Sequence, residues 1–165
     1  MTLGPFHQFV QTLDDDQREA LLSSVPMLAA MVVGADGDFD IDEMEATVDA
    51  MLAAADVLGD EFRWSEEAKK EFDHICASVR EGGVQNATAR LSRLGEVVRL
   101  MPDELRHRYQ DFVTAMVLHL AEASGGFLFF IDSVSEEEKI ALRKIVAALG
   151  LKITDPLDRA RLDLD

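Results

Sequence analysis

The acidic stretch Ala35-Asp36-Gly37-Asp38-Phe39-Asp40-Ile41-Asp42-Glu43 decides how the rest of the chain is read. Before it, Met27 to Val33 is apolar on nearly every side, which is typical of a central core helix. The helix is expected to stop at Gly34 to Gly37. After it, Asp40 or Asp42 is placed to cap a long helix that runs to about Leu58. The stretch therefore predicts a helix, an acidic turn and a second helix.

A weaker copy of this pattern occurs about ninety residues later. A second apolar helix is expected to end in Ala-Ser-Gly within the stretch Leu118 to Gly125. Acidic residues and another helix follow after a few additional residues. Ser135 and Glu138 have the spacing of a capping box, and Gly150 is placed to close the helix that they open. Two helix–acidic turn–helix repeats are therefore expected.

Working outward, apolar residues at helical spacing predict where five helices lie, the fifth being the apolar helix that ends near Gly125. Phe6, Phe9, Val10 and Leu13 share one face of the first of them, and Asp14-Asp15-Asp16 caps the second. The other three are expected to begin near Ser65, Asn86 and Pro102. The last of these carries a long inward stripe: Leu105, Tyr109, Phe112, Val113, Met116, Val117 and Leu120. We expect one all-α domain over residues 1–165, a compact bundle of about seven to eight helices.

The charge of the chain limits its partners. The net charge is −16, and residues 1–60 hold thirteen Asp or Glu against one basic residue, Arg18. A negative field of this strength disfavours nucleic acid and anionic lipid and favours cations or basic protein partners. Neither a secretory signal nor a transmembrane stretch is visible, so a cytoplasmic protein without membrane insertion is expected. The sequence predicts no oligomeric state.

Two interpretations of the first acidic turn remain open. Alternate side chains of an extended turn point the same way, so its carboxylates could converge on a hard cation, calcium or magnesium rather than zinc. The other interpretation is helix capping and solvation alone. The turn is not an EF-hand, because its sixth position is Ile41 and its twelfth is Thr47. The candidate metal ligands are Asp36, Asp38, Asp40, Asp42, Glu43, Asp132, Glu137 and Glu138, with His119 and Glu122 as additional ligands.

No group of residues indicates catalysis. The sequence has no phosphate-binding glycine loop and no nucleophile elbow, and the lone Cys76 lies on an apolar helical face, where thiols are usually inert. We expect a protein that is not an enzyme, although paired carboxylates leave an unrecognised carboxylate enzyme open. The apolar run Phe127–Ile131 is expected to pack on the core or to dock a protein partner.

The chain resembles the tellurite-resistance TerB family in both halves of the pattern. The motifs that carry the resemblance are Ala35-Asp36-Gly37 with Glu43, then Ala123-Ser124-Gly125-Gly126, Val134-Ser135-Glu136-Glu137-Glu138-Lys139 and Ala147-Ala148-Leu149-Gly150-Leu151. Both halves in this order are moderately specific.

The resemblance covers about residues 23–152, and it implies several properties. These are a compact helical domain with two repeats, no catalysis, acidic residues that bind a divalent metal, and a place in bacterial tellurite and stress responses among protein partners. The chain departs from the family pattern at Ser124, where an Asp is often found, and in the apolar run before Asp132. Both departures weigh against two symmetric metal sites.

Overall fold

A computed structural model describes residues 4–33, 87–124 and 135–164 of the chain. Within these ranges all regular structure is helical and no strand is present, which confirms the all-α class for this part of the protein. The helices are α1 Pro5–Gln11, α2 Asp15–Leu22, α3 Ser24–Val33, α4 87–100, α5 Asp103–Ser124, α6 Glu136–Leu149 and α7 Pro156–Arg161. None of the helices in these ranges is long and apolar enough to cross a membrane.

Helices α1 and α2 meet at an acidic cap, as the triple Asp predicts. The Asp14 carboxylate accepts a hydrogen bond from the Gln17 backbone N–H at 2.8 Å, and the Gln17 side chain accepts one from the Asp14 N–H at 3.1 Å. This reciprocal pair satisfies donors that the first turn of a helix leaves free. Arg18 closes the junction by donating to the carbonyl oxygen of Leu13 at 3.0 Å.

Helix α3 occupies the centre of the described core. It packs against α5 and α6, and its described apolar side chains include five that are buried: Met27, Leu28, Ala29, Met31 and Val32. A helix that is apolar all round can satisfy its side chains only when other helices surround it. The prediction of a central helix before the acidic stretch is confirmed.

Helix α5 buries the whole of its predicted stripe, from Leu105 to Leu120. Helix α4 buries Leu91, Leu94, Val97 and Val98 at helical spacing as well. The two helices are joined by a turn at Met101 and Pro102, in agreement with the predicted start near Pro102.

Helix α4 approaches α6 very closely at Gly95. A Cβ atom built on Gly95 would lie 2.6 Å from the carbonyl oxygen of Ala148. Real Cβ contacts are not this short, so any side chain at this position would push the two helices apart. Only glycine allows the backbones to come this near.

Helix α6 begins and ends as its sequence predicts. Ser135 Oγ accepts from the Glu138 N–H at 3.2 Å, and the Glu138 carboxylate accepts from the Ser135 N–H at 3.2 Å. Gly150 ends the helix with φ 64°, a left-handed conformation that glycine adopts without steric cost. Gln110 of α5 donates to the carbonyl oxygen of Leu149 at 2.8 Å and so ties the end of α6 to the beginning of α5.

Two large apolar side chains of α2 and α6 are exposed. Ile140 is 44% exposed, and Leu22 is 52% exposed. The buried apolar side chains of α6 follow the spacing Ala141, Leu142, Ile145 and Leu149, and Ile140 lies outside it. On α2 the buried position is Leu21, and its neighbour Leu22 is turned away by about 100°.

The charged C-terminal segment folds back on α6. Leu151, Ile153 and Leu162 are buried on either side of α7, which itself has no buried residue. Arg159 donates to the carbonyl oxygens of Ile153 and Leu164, at 3.1 and 2.9 Å, and closes the segment on itself. The short helix α7 is therefore anchored at both ends.

Candidate functional site

Six of the ten candidate ligands lie outside the described residues. They are Asp36, Asp38, Asp40, Asp42, Glu43 and Asp132, and the apolar run Phe127–Ile131 lies there too. The structure describes the helices next to these segments: α3 before the first acidic turn, and α5 and α6 on either side of the second. The placement of the first acidic turn stays a prediction.

Glu138, a candidate ligand of the second turn, is a buried capping residue. Its side chain is only 2% exposed, and the carboxylate accepts the Ser135 N–H at the start of α6. A buried carboxylate is stabilised by such a hydrogen bond and by the positive end of the helix dipole. Glu137, the next candidate, is exposed on the same first turn. The two neighbouring acids therefore lie in different environments.

A positively charged side chain, Lys139, lies beside the acidic first turn of α6. The Lys139 ammonium lies 3.3 Å from the Glu136 carboxylate and 3.6 Å from that of Asp163 in the C-terminal segment. Arg143 approaches Asp163 more distantly, at 4.0 Å. These contacts offset part of the repulsion among the acids that a bound metal ion would otherwise have to relieve.

The additional ligands lie near the end of α5. The His119 side chain is exposed. Glu122 follows three residues later in the same helix, and its side chain lies outside the described part of the structure. Within residues 4–33, 87–124 and 135–164, no group of three or more His, Cys, Asp or Glu side chains could hold a metal ion. The described acids therefore do not form a metal site by themselves.

A buried polar link was not predicted from the sequence. The Tyr109 hydroxyl donates to Ser24 Oγ at 2.8 Å, and the Ser24 hydroxyl donates to the carbonyl oxygen of Leu21 at 2.6 Å. Burial raises the pKa of Tyr109 well above its usual value, and its hydrogen bond with Ser24 opposes this only in part. The sequence signal is a tyrosine inside an apolar stripe, because a buried hydroxyl needs a hydrogen-bond partner.

This link is structural and not catalytic. Ser24 and Tyr109 are 1% and 2% exposed, so a substrate could not reach either hydroxyl group in the folded protein. The pair joins the start of α3 to the second turn of α5.

The fold and these contacts define a protein whose described part is all-α, with helices α2 and α6 beginning at an aspartate cap and a serine cap. No protein-family model matches the chain, and comparisons with curated proteins and with solved structures find no match either. The resemblance to the TerB family accordingly stays a prediction from the sequence.

Proposed function

We propose that the protein is a non-catalytic, TerB-like helical domain of a tellurite or metal-stress response. In this proposal it binds a divalent cation through the acidic segments 36–43 and 132–138. The observation that carries the proposal is the density of carboxylates in the first segment, where Asp36, Asp38, Asp40, Asp42 and Glu43 fall within eight residues. Helix capping needs one or two of these groups, and the others repel each other without a counter-ion.

The directions of the described helices support a common location for the two segments. The hydrogen bond from the Gln110 side chain to the carbonyl oxygen of Leu149 places the end of α6 beside the beginning of α5. If α5 and α6 ran parallel, the connection 125–135 would have to span about 40 Å, which is almost its full extended length. We infer that α5 and α6 run antiparallel, so that the connection lies at the end of α5 near Ser124.

Helix α3 continues this argument. It starts beside Tyr109 and packs against both α5 and α6. Since α6 then lies alongside the part of α5 that follows Gln110, we infer that α3 runs from Tyr109 towards the same end. The first acidic segment follows Val33 in the chain, and the second lies between α5 and α6. We therefore propose that the two segments are attached at the same end of the bundle.

The donor set favours a hard cation. Carboxylate oxygens suit calcium and magnesium, whereas a structural zinc site usually takes cysteine and histidine. In the second segment a cation would have to compete with Lys139 for Glu136 and with the capping bond for Glu138. We therefore expect the first segment to supply most of the affinity.

Calorimetric titration tests the proposal. Chelator-treated protein is titrated with calcium, magnesium, manganese and zinc, and the same titration is repeated on Asp36→Asn/Asp38→Asn. We expect saturable binding of calcium or magnesium that is lost in this variant. The matched control is Asp15→Asn/Glu19→Gln, which removes two exposed carboxylates of α2 and should bind like the wild type. Equal loss in both variants, or no heat above dilution for any ion, would refute a site in segment 36–43.

The second candidate is a protein-interaction module that is independent of metal. It is favoured by the apolar run Phe127–Ile131, which is unusual between two helices of a strongly acidic chain. Such a run, or the acidic face, would dock a protein partner of complementary surface.

A single substitution in the apolar run separates this candidate from the first. Phe129→Asp is expected to abolish partner capture while leaving the helical circular dichroism and the cation titration unchanged. Capture is measured by affinity purification from cell extract, with Leu157→Asp as the control because Leu157 is an apolar side chain already 59% exposed. If both variants retain the same partners as the wild type, the apolar run does not dock them.

A further inference from the structure

We draw no further inference here: the strongest candidate, the set of exposed apolar side chains Leu22, Leu100, Ile140 and Leu157 at the surface of the helical bundle, carries none because nothing in the described residues shows what covers them.

Discussion

Tyr109 shows how one polar side chain can be accommodated in an apolar stripe. Its ring packs near Phe112, with ring centroids 6.4 Å apart, and its hydroxyl reaches Ser24 on another helix. A hydrogen bond of this kind makes a net contribution of about 0.5–1.5 kcal/mol to the free energy of unfolding. The ring supplies apolar burial, and the hydroxyl fixes which part of α5 lies against the start of α3.

The Tyr109 hydroxyl also predicts how stability depends on pH. In the unfolded chain tyrosine loses its proton above a pH of about 10, whereas in the folded protein the raised pKa keeps it protonated. The unfolded state then binds fewer protons, so the free energy of unfolding falls by about 1.4 kcal/mol per pH unit above that point. The difference in urea midpoint between wild type and Tyr109→Phe should shrink and reverse as the pH rises through this range.

The same prediction has an optical test, because Tyr109 is the single tyrosine of the chain. Tyrosinate absorbance should appear only as the helical circular dichroism is lost. At neutral pH, Tyr109→Phe should be less stable by about 1 kcal/mol. Formation of tyrosinate near its usual pKa with the helices intact would show that the hydroxyl is accessible to solvent.

At the scale of the helices, the sequence predicts boundaries better than contacts. Asp14, Ser135 and Gly150 act through neighbours within a few residues, so their capping roles are visible in the sequence. The sequence does not show the hydrogen bonds that long side chains make to backbone carbonyls, because only the tertiary fold brings these groups together. Arg18, Gln110 and Arg159 make such bonds. Glu138 combines both cases: its capping bond is predictable, and its burial is not.

A substitution at Gly95 tests how closely α4 and α6 pack. Gly95→Ala should destabilise the protein by up to about 2 kcal/mol, because overpacking costs about 1–3 kcal/mol and better helix propensity returns about 1 kcal/mol. The control is Ser92→Ala, an exposed position of the same helix where only propensity changes. Both are measured by urea unfolding. Stabilisation of equal size in the two variants would mean that the close contact with Ala148 has no energetic weight.

At the scale of the whole molecule, charge opposes compactness. A net charge of −16 produces self-repulsion in the folded state, and ion pairs such as Lys139–Glu136 compensate only part of it. Composition makes this property fully predictable from the sequence. The arrangement of the acids about a cation is not predictable in the same way, because it depends on which helix ends meet.

Salt should therefore stabilise the protein. Raising monovalent salt from about 0.01 to 1 M shortens the screening length from about 30 to 3 Å and should raise the melting temperature steadily. At matched ionic strength, the proposed divalent cation should add a saturable increase in melting temperature, which Asp36→Asn/Asp38→Asn should remove. Thermal melts followed by circular dichroism measure both effects. A melting temperature that falls or stays constant as salt increases would show that the repulsion is already neutralised.

The central position of α3 has a consequence for biosynthesis. Its apolar side chains are made well before α5 and α6, the helices against which it packs in the described core. At about 5–20 residues per second, several seconds of translation separate Val33 from Asp103. During that interval Leu28 and Val32 lack these partners, so the nascent chain is an expected client for chaperones, and an N-terminal fragment is expected to aggregate.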